Sequence, residues 1–186
     1  YSTSCGKTTT MKAWGTSENE SNGYLQSVEV KDKKGDYEKS LPWYRWEADI
    51  DQDILSTLLA ENVKKNIGTV QSLEVTKTGP GGVALQIKAV GDKGSITVDT
   101  ENKIRKALGG NGYEIKKQDG TVAQSGTLLP SAFFKVKKAG NIFKITGGGY
   151  GHGIGMSQNG ANEMAKTGKN YQEILQMFYP GTTIEK

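Results

Sequence analysis

Cysteine occurs once in these 186 residues, at Cys5, so no internal disulfide can form and the redox compartment is left undecided. Histidine also occurs once, at His152, so zinc could find only these two soft or imidazole ligands, and no H-x-x-x-H or C-x-x-C spacing accompanies them. No metal site and no cofactor are expected. Arginine is nearly missing too: Arg45 and Arg105 stand against 22 lysines and 20 acids, for a net charge of +4. Readers of nucleic acid depend on the bidentate fork of arginine, so this balance argues against a nucleic-acid partner. It suits a solvated surface with mild affinity for anionic polymers. No run approaches the roughly 20 apolar residues of a membrane span, so none is expected. No signal peptide is visible, and the opening at Tyr1 without a Met reads as a processed or excised piece.

What the chain does have is patterning for one domain of the α+β class. Segments 24–30, 43–50, 72–78, 83–90, 95–98, 112–117 and 141–147 alternate apolar and polar residues with Val, Ile, Tyr and Phe enriched. That period of two predicts half-buried strands. Residues 51–67 place Ile54, Leu55, Leu58, Leu59 and Val63 on one helical face, with Gly68 as the stop. A short second helix is expected from Thr100 to the Gly109-Gly110 stop. Two more are expected at the C-terminus, over 157–167 and from Asn170, where Asn170 and Glu173 have capping-box spacing and Pro180-Gly181 ends the segment. Strict strand–helix alternation is lacking. A strand-rich centre with inserted short helices and a helical C-terminus therefore fits better than a doubly wound sheet.

The glycines are concentrated around the lone histidine: six of the nine residues from Gly147 to Gly155 are glycine. Glycine loses more backbone freedom on folding than other residues, so such a cluster implies a tight turn or a close approach to the main chain. No register gives G-x-G-x-x-G, and "CGKT" at 5–8 lacks the first glycine and preceding strand of a P-loop. A nucleophilic site pairing His152 with Ser157 or Cys5 would need an orienting carboxylate, which spacing cannot supply. A structural turn and a binding groove remain. The groove is favoured because the glycines flanking His152 carry no side chains to shield it, and because residues 157–160 open a helix whose amides favour hydroxyl or anionic oxygens.

The segment "GYGHGIGMSQNGANEMAKTGKNYQEILQMFYPGTTI" resembles the C-terminal signature of the SpoIID/LytB family, named for stage II sporulation protein D. "STSCGKT" (2–8), Trp14-Gly15, "PWYRWE" (42–47), "IRKAL" and "LLPSAFFKV" (128–136) resemble further parts of that family, so the likeness spans most of the chain. The resemblance implies an extracytoplasmic protein of the cell envelope acting on peptidoglycan glycan strands. It would act either as a lytic transglycosylase, with sporulation as the associated setting, or as a non-catalytic wall-binding or amidase-enhancer module with a cell-wall amidase partner. A transglycosylase needs one general acid, because the muramic acid hydroxyl serves as internal nucleophile. In the family the catalytic glutamate lies upstream of the Ser-Thr-Ser segment. Nothing here matches that region, and residues 1–186 read as the C-terminal, groove-forming portion of the domain. Family members often carry His where Tyr1 stands, and Glu47 and Glu163 have no counterpart among family catalysts. No catalytic residue is therefore assigned. Ser2, Thr3, Ser4, Tyr150, His152, Ser157 and Gln158 are the expected substrate-binding residues, with Ser4 and His152 facing one concave surface.

Overall fold

The computed structural model describes residues 1–185 and is of the α+β class. In chain order the strands and helices are β1 (Lys31–Asp32), β2 (Gly35–Asp36), β3 (Trp46–Asp51), α1 (Gln52–Val63), β4 (Val70–Thr78), β5 (Ala84–Gly91) and β6 (Gly94–Asp99). They continue with α2 (Glu101–Leu108), β7 (Glu114–Lys117), β8 (Val122–Gln124), β9 (Phe134–Ala139), β10 (Ile142–Gly147), α3 (Gln158–Lys166) and α4 (Tyr171–Phe178). One antiparallel sheet has the order β8-β7-β3-β10-β9, a second is the meander β4-β5-β6, and β1-β2 is a short ribbon.

The alternating segments become strands for the reason their pattern gives. Along β3, Trp46, Ala48 and Ile50 point inward while Glu47 and Asp49 face solvent. The register with β10 sets Phe143 opposite Ile50 and Ile145 opposite Ala48, so one face of the sheet is continuously apolar. Helix α1 adds Leu55, Leu58 and Leu59, and α2 adds Ile104 and Leu108, to one apolar cluster that also takes in the buried residues of both larger sheets. A second, smaller cluster of Val30, Met164 and Phe178 forms where α3 and α4 meet the chain before β1. The Asn170–Glu173 capping box forms as its spacing predicts.

Three expectations need correction. Segment 24–30 joins no sheet: its main chain pairs instead with the N-terminal segment, Val28 O accepting from Thr8 N at 2.9 Å. Helix α1 ends at Val63, short of residue 67, because Lys64 turns left-handed (φ 59°); Gly68 serves the following turn, where Asn66 Oδ1 accepts its N–H. Strands β8 and β9 were not anticipated, since "VAQ" is too short and "FKVKKA" too basic to show a periodic apolar face.

Register also positions the region around His152. Gly147 at the end of β10 pairs with Trp46 at the start of β3, so the glycine-rich stretch leaves the sheet beside Trp43–Arg45. Nearby, Thr100 caps α2 with φ 73° and ψ 144°, a region that β-branched side chains avoid, and its hydroxyl makes no capping bond. Thr100→Gly relieves this strain and outweighs the added freedom of the unfolded chain. We expect it to stabilise the fold by about 1 kcal/mol, raising the melting temperature by roughly 2–4 °C in a thermal scan.

Candidate functional site

The N-terminal segment, the glycine-rich stretch and the start of α3 are laced together by main-chain hydrogen bonds. Thr3 and Tyr150 exchange both N–H groups (3.1 and 2.8 Å), and Thr9 N–H reaches Gly153 O at 2.8 Å. Gly149 N–H donates to Trp43 O and Gly151 N–H to Pro130 O, each at 2.8 Å, while the Trp46 indole donates to Gly149 O at 3.0 Å. The glycines follow from this crowding. Gly149, Gly151, Gly153 and Gly155 all have positive φ, and a Cβ on Gly153 would lie 2.4 Å from the Phe133 ring. The stretch is thus threaded between neighbours, and the amides of Gly148, Gly149, Tyr150, Gly151 and Ile154 are occupied, contrary to the open loop that the glycine content suggests.

The amides at the start of α3 are occupied as well. Gln158 N–H donates to Tyr1 O (2.8 Å) and Asn159 N–H to Ser2 O (3.0 Å), and Gly160 N–H is capped by Ser157 Oγ. An anion has no free donors there, so the expected oxygen site at the helix start is replaced by a chain-to-chain joint.

At the centre of this joint is Glu38, fully buried and unsuspected in the sequence because it follows a lysine- and aspartate-rich run that reads as solvated. Its Oε1 accepts from Ser4 N–H (2.9 Å) and from the Ser157 hydroxyl (2.7 Å), and its Oε2 accepts from the Ser4 hydroxyl. Burial pushes the Glu38 carboxyl above its usual range, and the three donors oppose that rise. Thr3, Ser4 and Ser157 are each 0–1 % exposed. The expectation that Ser4 faces a concave surface with His152 is therefore corrected: its hydroxyl is turned inward by the carboxylate. Ser2 is half-buried, with its hydroxyl 3.3 Å from that of Thr3, and Gln158 is exposed.

His152 lies on the outer side of the joint. Its ring is half-buried between Tyr1 (centroids 5.4 Å apart) and Trp14 (5.1 Å), and Trp14 is 45 % exposed. Trp14 ends a single turn, Met11–Trp14, that Thr10 caps and Gly15 closes at φ 77°. Nδ1 of His152 accepts from Ile154 N–H at 3.1 Å, which places the proton of the neutral ring on Nε2. Burial, with Arg105 adding to it, lowers the His152 pKa to about 4. Two residues back, Tyr150 is 43 % exposed and its ring packs on Trp43 at 4.8 Å. Sequence reasoning named Trp14 and Trp43 only within family-like stretches; their contacts with His152 and Tyr150 span more than 100 residues and leave no local signal.

No Ser–His–carboxylate arrangement exists among the described residues: Ser157 is held by Glu38, His152 by a backbone amide, and burial raises the Cys5 thiol. Nor does any group of three or more His, Cys, Asp or Glu among them lie close enough to hold a metal. What the arrangement can do chemically is present aromatic faces with a neutral imidazole donor.

Set against known proteins, residues 10–155 match a family described as a domain of unknown function (DUF8618). The chain is 41% identical over 95 residues to an uncharacterized protein of Brachyspira hyodysenteriae, a match covering 50% of this chain and 26% of that protein. It is 50% identical over 58 residues to the amidase enhancer of Bacillus subtilis, covering 31% of this chain and 8% of the relative. To stage II sporulation protein D of Bacillus subtilis it is 39% identical over 93 residues, covering 50% of this chain and 26% of the relative. The matched stretches thus span about a quarter or less of these relatives.

Two measurements check this geometry. The single imidazole gives one titrating signal by NMR, expected to stay neutral until about pH 4. Because the folded value lies below the ordinary 6.5, the folded state binds fewer protons between these limits. Stability from this group is complete above pH 6.5, falls as pH drops towards 4, and loses this slope in His152→Gln. Glu38→Ala leaves the Ser4 amide and hydroxyl without their acceptor and leaves the Ser157 hydroxyl only the Ser2 carbonyl. We expect a loss of about 3 kcal/mol, read as a melting temperature lower by roughly 6–12 °C, with Glu38→Gln milder because it keeps one acceptor oxygen.

Proposed function

The chain belongs to the family described as a domain of unknown function (DUF8618) and is SpoIID-like, and from that premise we propose that it is the glycan-binding portion of a cell-wall protein acting on peptidoglycan in sporulation. The observation that carries this reading is the exposed Trp14 ring packed, tilted, against His152. Aromatic faces accept the C–H face of a sugar ring, and amphipathic rings combine apolar area with a polar tip. A neutral Nε2–H beside them donates to a sugar hydroxyl or an N-acetyl oxygen, and the low pKa keeps that donor unprotonated at Nδ1 throughout the physiological range.

In this proposal His152, Tyr150, Ser2 and Gln158 touch the strand, whereas Ser4 and Ser157 hold the main chain beneath it through Glu38 and Thr3 does so through the Tyr150 main chain and Asn159. Glycan cleavage would draw its general acid from elsewhere in a longer protein, in the region upstream of the Ser-Thr-Ser segment. The described carboxylates nearest in role are engaged: Glu38 is buried by its donors, and Glu163 pairs with Lys166 at 2.7 Å. The likeness to an amidase enhancer supports a second reading, in which the same surface delivers an amidase to the wall without cleaving glycan. Either reading places the protein at the cell envelope. No described helix is long and apolar enough to cross a membrane.

Sedimentation with purified peptidoglycan tests both. The chain should bind, and His152→Ala and Trp14→Ala should each weaken binding by roughly three- to tenfold, the worth of one hydrogen bond or stacking contact, with little change in melting temperature. Incubation with peptidoglycan should release no anhydro-muropeptides. A cell-wall amidase stimulated by the chain, with no glycan cleavage by the full-length protein, would select the second reading. Unchanged binding by both variants would remove the glycan surface altogether.

A further inference from the structure

A wide cleft lies apart from His152. It is a cleft of about 910 Å³ between the N-terminal segment, the turn at Pro80–Gly82 and the ends of β3, β7, β9 and β10, with Trp46, Phe133 and Phe134 in its lining. Six cationic side chains line it, Lys7, Lys31, Arg45, Lys116, Lys117 and Lys135, against three carboxylates. Much of the chain's net positive charge is therefore gathered in one concavity.

The three carboxylates are already taken. Glu29 pairs with both Lys31 (2.5 Å) and Lys7 (3.7 Å), Glu47 pairs with Lys116 (3.5 Å), and Asp36 accepts the Tyr44 phenol. Arg45, Lys117 and Lys135 have no carboxylate partner among the described residues. Two of them are nonetheless held in place by neutral groups. Arg45 donates to Cys5 O (3.0 Å) and Tyr44 O (2.7 Å) and stacks 3.9 Å from the Tyr44 ring centre, and the Lys117 ammonium lies 5.1 Å from that of Trp43. Like charges gathered in a cleft repel one another, and low-dielectric walls focus their field on whatever enters. An anion entering the cleft offsets that repulsion.

The mixture of cations narrows the ligand. One arginine among lysines supplies separated point charges, which suit single carboxylates spaced along a chain better than a compact polyphosphate. Lys117 also links the cleft to the surface described above, because the Trp43 ring beneath it packs against Tyr150. We propose that this cleft is a subsite for the carboxylates of a wall glycan strand whose sugars lie on the neighbouring aromatic surface. The carboxylates come either from the lactyl groups of muramic acid or from attached peptides. This inference rests on the glycan reading above and adds to it a charge-dependent selection of strand.

The test compares wild type with Lys117→Gln/Lys135→Gln, both substitutions being at the cleft surface, with folding checked by circular dichroism. Four probes are used: a neutral chitin oligosaccharide, peptide-free peptidoglycan strands, peptide-bearing strands and poly(glycerol phosphate). Wild type should bind a carboxylate-bearing strand more tightly than the neutral oligosaccharide by about five- to tenfold at low salt, and lose that preference as salt rises. The double variant should lose the preference while keeping its affinity for the neutral oligosaccharide. The strand whose affinity falls identifies the source of the carboxylate. Equal binding of neutral and anionic strands, or an unaffected double variant, overturns the subsite and leaves the glycan reading standing. Tighter binding of poly(glycerol phosphate) than of either strand overturns it in favour of a phosphate ligand. Failure to bind any glycan overturns both.

Discussion

The Glu38 carboxylate is the constraint on which the site depends. One buried side chain takes hydrogen bonds from Ser4 and Ser157, residues 153 positions apart, and so joins the N-terminal segment to the start of α3. An isolated buried carboxylate is costly, and this one is tolerable because it accepts three hydrogen bonds, two of them from the Ser4 amide and hydroxyl that it satisfies in turn. The arrangement is therefore reciprocal: the carboxylate needs the serines as much as they need it. The main-chain bonds that follow, from Gln158 and Asn159 to Tyr1 and Ser2, depend on the two segments already being held at that distance.

From that joint the geometry around His152 is built outward. The N-terminal segment brings Tyr1 to one side of the imidazole, and the turn ending at Trp14 brings an indole to the other. The glycines let the intervening main chain pass close to its neighbours: a Cβ on Gly153 would lie 2.4 Å from the Phe133 ring, and one on Gly151 would lie 2.7 Å from Tyr1 Cβ. Burial then keeps the imidazole neutral, with a defined tautomer set by the Ile154 amide. Packing, hydrogen bonding and ionisation thus agree on a single state of one side chain, which is what a positioned polar contact to an uncharged sugar requires.

The likeness to stage II sporulation protein D and to the amidase enhancer covers only part of each relative, and the family itself is described without a function. The aromatic and imidazole surface connects those likenesses to glycan chemistry. The cationic cleft extends the same surface: the Trp43 ring contacts both the Lys117 ammonium and the Tyr150 ring, so charge and aromatic packing are contiguous rather than separate features.

The sequence by itself determined the elements whose causes are local. Alternation in 83–90, 141–147 and the later part of 43–50 specifies strands, while residues 42–44 form a short turn before β3; Asn170 and Glu173 specify a cap, and the glycines around His152 announce a backbone that other residues could not follow. The family-like stretches are also visible as written. Only the tertiary structure decided that Ser4 and Ser157 turn inward, that the amides of α3 are occupied, that Trp14 and Trp43 flank His152 and Tyr150, and that six cations share one cleft. The reason is range. Periodicity and capping act over a few residues, whereas a buried carboxylate, an aromatic contact or a charged concavity is made by segments a hundred or more positions apart, and their meeting is set by sheet register and core packing. Glu38 shows this most clearly: beside its sequence neighbours it reads as a solvated acid, and it becomes the centre of the joint only once the chain's two ends have closed around it.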